Sequence, residues 1–97
     1  MVWAVLDEQV GRKPYLIVSN NRRNEAMDSV LAARVTTSSK PSLPSIVELG
    51  PDDPLVGRVL CDEVMQLWND EIVDDAGALS PPTMERVADG LRHALGL

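Results

Sequence analysis

Side chains that can handle a phosphodiester flank one short apolar run near the start of the chain. The segment GRKPYLIVSNNRRN, residues 11–24, has cations on both sides of the run and asparagines directly after it. Cations bind phosphate, while amides and hydroxyls form hydrogen bonds with bases and sugar hydroxyls. Hydroxyls and a lysine also follow the next apolar run. The candidate residues are Arg12, Lys13, Ser19, Asn20, Asn21, Arg22, Arg23, Asn24, Thr36, Thr37 and Lys40. Composition alone leaves an ordinary polar loop surface as the alternative.

The charge of the chain is unevenly distributed. The formal net charge is -6, yet residues 1–40 hold six cations against four anions, and residues 41–97 hold three cations against eleven anions. Net charge alone therefore argues against a nucleic-acid-binding protein. A nucleic-acid site can be only a local patch built from the first part of the chain.

The sequence lacks the residues that several other catalytic mechanisms require. His93 is the single histidine, so a paired histidine acid and base is excluded, and no Ser/His/Asp arrangement or glycine-rich phosphate loop is present. The adjacent carboxylates Asp62 and Glu63 would point to opposite faces of a strand, which disfavours a shared metal ion. We expect no metal site and no cofactor.

Size and cysteine content indicate a single small domain, residues 1–97. A chain of this length buries a modest core, so association into a homodimer is expected to help its stability. Cys61 is the only cysteine and cannot form an internal disulfide. No apolar run has the length of a membrane span, and no signal-peptide pattern is present. These features predict a cytoplasmic protein.

The elements that must position the polar residues are mostly strands. Alternating or continuous apolar runs predict strands between about residues 2 and 64, at 2–7, 14–19, 29–37, 45–50 and 57–64. A short helix is predicted at 69–75, with Asn69 as its N-cap. A closing helix is predicted at 80–95, with Ser80 as N-cap and Pro81 at the first helical position. The order indicates a mainly β fold, an antiparallel curled or barrel-like sheet covered by the last helix. Trp3 is expected in the core, and Gly90 is expected to let that helix approach the sheet.

The order of these motifs resembles the MazF/PemK family of toxin endoribonucleases. The resemblance is carried by VWAVLD, GRKP and YLIVSNN, then by VLAARVTTS, VLCDEV and GALSPPTMERVADGLRHALGL. It implies a small SH3-like antiparallel barrel of the MazF/PemK/CcdB type, assembled as a homodimer, and the toxin role in a type II toxin–antitoxin pair. It also implies metal-independent, sequence-selective cleavage of single-stranded RNA, with mRNA and also tRNA or rRNA as targets. The 2′-hydroxyl attacks the phosphodiester, leaving a 2′,3′-cyclic phosphate and a 5′-hydroxyl. A MazE-like antitoxin is the implied protein partner.

The resemblance also assigns roles to residues. Lys13 stands where most members carry arginine before proline, and Thr36 ends the third strand, so both are candidate catalytic residues. Arg12 is a third candidate, because its planar guanidinium can bind phosphate bidentately. Glu63 stands where many members carry glutamine; its carboxylate would repel phosphate or accept from a cytosine amino group. The candidate RNA-binding residues are Ser19, Asn20, Asn21, Asn24, Thr37, Lys40 and Glu63.

Two alternatives stay open at this point. A gyrase poison of the CcdB type shares the fold and cuts nothing, but it depends on a tryptophan near its C-terminus, whereas this chain ends HALGL. A degenerate homologue could bind antitoxin without cleaving RNA.

Overall fold

Six β-strands and two α-helices make up the computed structural model, which describes all 97 residues. A single 3-10 turn, Asn69–Glu71, links the last two strands. In chain order the elements are β1 (Val2–Val5), β2 (Arg12–Ile17), α1 (Asn21–Ala26), β3 (Ser29–Thr36), β4 (Ile46–Glu48), β5 (Arg58–Trp68), β6 (Ile72–Asp75) and α2 (Pro81–Leu95).

All six strands form one antiparallel sheet. Their order across the sheet is β4-β5-β3-β2-β1-β6, so the long strands β3 and β5 lie near one side and β1 and β2 near the other. Helix α2 packs against β4 and β5. The mainly β class with a closing helix is therefore confirmed.

Apolar clusters cover both faces of the sheet. Adjacent residues of a strand point to opposite faces, and on β2 Leu16 joins one cluster while Tyr15 joins the other. The cluster containing Leu16 includes Val87 from α2. The cluster containing Tyr15 includes Ala32 of β3 and Leu67 of β5. Burial on both sides fixes the register, because a slip of one residue would exchange the two faces.

Strand β5 contains an irregularity that matters for the site. Ala33 of β3 pairs with Val64, but the next residue, Arg34, pairs with Leu60. The β5 residues 61–63 therefore have no partner on β3, and a bulge of this kind bends a strand and re-aims its side chains. Cys61 is fully buried, while the next two side chains are both exposed. Strand alternation is interrupted here, and the expectation that Asp62 and Glu63 point to opposite faces stays a prediction.

Helix α2 lies unusually close to the sheet at Gly90. A Cβ at this position would lie 2.8 Å from the Cys61 sulfur and 3.1 Å from the Pro44 carbonyl oxygen. The prediction that Gly90 permits close approach is confirmed. No helix of the protein combines the length and the apolar character that crossing a membrane requires.

Two local predictions from the sequence were wrong. Residues 69–75 form the 3-10 turn and strand β6, which pairs with β1, instead of a short helix. No element is predicted between the strands at 14–19 and 29–37, yet the polar stretch after β2 contains α1. Its N-cap is Asn20, whose side chain accepts a hydrogen bond of 2.9 Å from the Arg23 backbone N–H.

Candidate functional site

A cleft of about 380 Å³ opens where β2 begins and β3 ends. Three cations, three hydroxyl side chains and an apolar lip surround it, a combination suited to an anionic ligand with apolar parts. The lining residues are Trp3, Arg12, Lys13, Pro14, Arg34, Val35, Thr36, Thr37, Ser38, Leu55 and Val56. The sheet thus brings together four of the residues singled out from the sequence: Arg12, Lys13, Thr36 and Thr37.

The pairing of β2 with β3 sets Lys13 beside Thr36. Tyr15 pairs with Arg34, and continuing that antiparallel register by two residues places Lys13 across from Thr36. Because side chains alternate along a strand, Lys13, Arg34 and Thr36 share one face of the sheet. An ammonium, a guanidinium and a hydroxyl therefore converge on one cleft from two neighbouring strands.

The two N-terminal cations of the cleft differ in their partners. The Arg12 guanidinium stacks over the Trp3 ring, 4.8 Å from its centroid, and its Nη1 lies 3.8 Å from Asp74 Oδ2. Lys13 forms no ion pair and no side-chain hydrogen bond within the protein. Lys13 is thus the cation left free for a ligand. Trp3 was expected in the core; it lines the cleft instead and supports Arg12.

The Thr36 hydroxyl already has one hydrogen bond. Its oxygen accepts from the Ser38 backbone N–H at 3.1 Å, which leaves its proton free to donate. The following loop is held from outside the cleft by Arg58, which donates to the Thr37 and Ser38 carbonyl oxygens at 3.2 Å each. Arg58 in turn donates to Glu48 at 2.7 Å. The end of β3 is therefore fixed in place before a ligand binds.

The asparagine-rich turn lies at the other end of β2. None of its residues lines the cleft, and six residues of strand between Lys13 and Ser19 span about 20 Å. Its polar atoms are largely occupied locally. Ser19 Oγ donates to Asn24 Oδ1 and accepts from the Leu31 N–H at 3.0 Å, while the Asn20 side chain caps α1. Within one copy of the chain, Ser19, Asn20, Asn21 and Asn24 do not join the cleft.

Lys40 lies two residues beyond Ser38, the last cleft residue of its loop, and does not line the cleft either.

The same cleft-bearing fold occurs in known toxins. Residues 1–95 match the family described as PemK-like, MazF-like toxin of type II toxin-antitoxin system. The chain belongs to this family. It is 45% identical over 87 residues to an endoribonuclease named MazF1 from Mycobacterium bovis and, equally, to one named MazF4 from Mycobacterium tuberculosis. The match covers 90% of this chain and 82% of each relative.

A solved structure of a mycobacterial endoribonuclease in complex with its cognate antitoxin has the same fold as this PemK-like, MazF-like toxin. The two superpose with a TM-score of 0.91 at 42% sequence identity, covering 99% of this chain and 90% of the other. The resemblance stated from the sequence is therefore confirmed.

The toxin cleft contains one cation that sequence reasoning missed. Arg34 points from β3 into the cleft, and its Nη1 lies 3.4 Å from Oε1 of Glu63. Glu63 reaches it from the β5 bulge. The usable signal was the spacing of Arg34 and Thr36, two polar residues that face the same side of β3 after the apolar run Val30–Ala33.

Two further groups of the toxin were weighed for chemistry. No three histidine, cysteine, aspartate or glutamate side chains lie close enough together to hold a metal ion. Burial raises the pKa of the Cys61 thiol to about 11, with a smaller contribution from Asp62. Cys61 is thus a protonated core side chain at neutral pH.

Proposed function

We propose that this toxin is a metal-independent, sequence-selective endoribonuclease that cleaves single-stranded RNA in the cleft between β2 and β3. The observation that carries the proposal is the convergence of Lys13 and Thr36 on one face of neighbouring strands. The naming of its relatives as endoribonucleases supports the same reading.

The proposed reaction needs charge stabilisation more than a strong acid or base. The ribose 2′-hydroxyl loses its proton and its oxygen bonds to phosphorus. The bond from phosphorus to the 5′-oxygen breaks and that oxygen takes up a proton, so a 2′,3′-cyclic phosphate and a 5′-hydroxyl result. Negative charge grows on the non-bridging phosphoryl oxygens as this happens. The Lys13 ammonium and the free proton of the Thr36 hydroxyl are placed to stabilise that charge, and preorganised donors of this kind contribute strongly to catalysis.

The role of Arg12 in this proposal follows from its contacts. Arg12 is oriented by the Trp3 ring and has Asp74 at 3.8 Å, so it contributes positive potential at the cleft edge. Thr37 lines the cleft, and Lys40 is a proposed RNA contact outside it. Ser19, Asn20, Asn21 and Asn24 are proposed RNA contacts outside the cleft. Within one copy they can meet only RNA that runs along β2 for about 20 Å.

The proposed assembly is a cytoplasmic homodimer with an antitoxin of the MazE type as its protein partner. The structural relative in complex with its cognate antitoxin supports such a partner. An acidic antitoxin segment would compete with RNA for Lys13 and Arg34, since both ligands are polyanionic.

The test is cleavage of single-stranded RNA by the purified protein in EDTA, with the product ends identified by mass spectrometry. We expect cleavage, a terminal 2′,3′-cyclic phosphate, and loss of cleavage in Lys13→Ala and Thr36→Ala variants that keep the wild-type oligomeric state. Dependence on a divalent cation, or full activity in both variants, would disprove the proposed chemistry. A folded protein that binds antitoxin but cuts no RNA would identify a non-catalytic homologue.

A further inference from the structure

Arg34 lines the cleft and forms an ion pair with Glu63, a β5 residue outside the cleft lining. Their side chains are about half exposed, at 49% and 47%, and the separation of 3.4 Å is longer than that of a tight charge-assisted hydrogen bond. The pair joins β3 to the β5 residues 61–63, which have no pairing partner on β3. The contact is therefore accessible, and it is loose.

We propose that Glu63 is an affinity-setting residue that holds Arg34 away from RNA until a phosphate displaces the carboxylate. In the free protein the Glu63 carboxylate neutralises the guanidinium. In the bound protein Arg34 turns to an RNA phosphate, and Glu63 returns to solvent. This inference rests on the proposed function, because it concerns how the same cleft binds RNA.

The exchange is physically favourable for two reasons. An exposed ion pair contributes little to folding stability, because solvent already satisfies both charges, so opening it costs little. A phosphate offers the guanidinium two acceptor oxygens in the planar arrangement that arginine binds best. Tyr15 pairs with Arg34 across β2 and β3, so the two side chains are neighbours on one face of the sheet.

The other cleft cations do not have this arrangement. Lys13 has no carboxylate partner to release, and Arg12 is held by the Trp3 ring in addition to Asp74. Arg34 is thus the cleft cation whose availability depends on a single carboxylate. Removing that carboxylate frees a cation without altering the catalytic pair.

The first test measures binding of a short 2′-O-methyl RNA, which lacks the attacking hydroxyl. Its sequence is one that the wild-type protein cuts. Glu63→Gln should bind it about twofold to fivefold more tightly than wild type. Asp89→Asn is the matched control, because Asp89 also pairs with an arginine, Arg92, on the exposed surface of α2 and its loss changes the net charge equally. An equal gain in both variants would show a general charge effect and overturn the proposal.

The second test is a double-mutant cycle with Arg34→Ala. We expect Arg34→Ala to weaken binding and to reduce the slope of log affinity against log salt by about 0.7, the value for one phosphate contact to single-stranded nucleic acid. The gain from Glu63→Gln should then shrink in the Arg34→Ala background. A gain that stays the same or grows would mean that Glu63 repels RNA independently of Arg34.

The tests distinguish a failure of the proposed RNA cleavage from a failure of the proposed role of Glu63. If the wild-type protein neither cuts nor binds RNA, the proposed function fails and this inference falls with it. If the wild-type protein cuts RNA and Glu63→Gln binds no more tightly than Asp89→Asn, only the inference about Glu63 fails.

Discussion

The Asp53 carboxylate accepts a hydrogen bond of 2.7 Å from the Thr83 hydroxyl, and this contact ties the loop before β5 to the first turn of α2. Its oxygens also accept from the backbone N–H groups of Ser80 and Gly50, at 2.7 and 2.6 Å. Helix α2 begins with two prolines, which have no N–H to donate. The position of its first turn therefore depends on these contacts. The loop held in this way carries Leu55, which lines the cleft.

Asp53 should make the protein less stable in acid. Partial burial alone would raise the pKa of Asp53, but hydrogen bonds from Ser80, Gly50 and Thr83 outweigh it and lower the pKa from 3.8 to about 2. The folded state thus favours the ionised carboxyl. This contribution to the free energy of unfolding is complete above about pH 4 and is lost as the pH falls through about 2. Urea denaturation between pH 2 and 6 should show a stability difference between wild type and Asp53→Asn that shrinks toward pH 2; a difference independent of pH would contradict this account.

Asp53→Asn should destabilise the protein at neutral pH by about 1–2 kcal/mol, the usual cost of weakening hydrogen bonds to a charged, partly buried carboxylate. Asp52→Asn is the matched control, because Asp52 is the exposed neighbour and makes no side-chain hydrogen bond. Chemical denaturation at pH 7 measures both variants. Equal midpoints for the two would show that Asp53 does not hold the loop.

Hydrophobic patterning predicted most of the strands and the closing helix because those residues pack in a period of two or of 3.6. It failed where tertiary contacts decide the backbone. Residues 69–75 carry helix-compatible polar residues, yet Ile72 and its neighbours pair with β1 and become a strand. Short elements have little propensity of their own, so pairing partners determine their conformation.

The candidate site was predicted in part, and the missing part depends on three-dimensional register. Lys13 and Thr36 were identified by family resemblance, and the β2–β3 pairing brings them together. Asn20 lies at the other end of β2 from Lys13 and does not line the cleft of one copy, so its role in binding RNA stays a prediction. Arg34 was missed although its spacing from Thr36 places both on one face of β3; its pairing with Glu63 depends on the β5 bulge, which no local pattern in the sequence reveals.

Gly90→Ala should destabilise the fold even though alanine is the better helix former. The new methyl group would lie 2.8 Å from the buried Cys61 sulfur and 3.2 Å from Val47 Cγ2. Overpacking costs about 1–3 kcal/mol, which offsets or exceeds the gain of about 1 kcal/mol in helix propensity. Thermal denaturation should show a lower midpoint for Gly90→Ala. Adding Cys61→Ala removes the sulfur, so Gly90→Ala should cost less in that background than in the wild type; the same cost in both would contradict the proposed clash.

Lys13→Arg should retain cleavage, whereas Lys13→Met should lose it about a hundredfold or more. Arginine keeps the positive charge and adds a planar fork that can bind a phosphate bidentately. Methionine keeps most of the length but removes the charge that stabilises the phosphoryl oxygens, and removal of one such donor typically costs 10²–10³ in rate. Single-turnover cleavage of one RNA under saturating protein isolates this step from RNA binding. Lys40→Met is the matched control, because Lys40 lies outside the cleft, and it should cleave at a rate close to wild type. Equal losses of cleavage rate in Lys13→Met and Lys40→Met would mean that cleavage depends only on total charge, and that Lys13 does not contact the reacting phosphate.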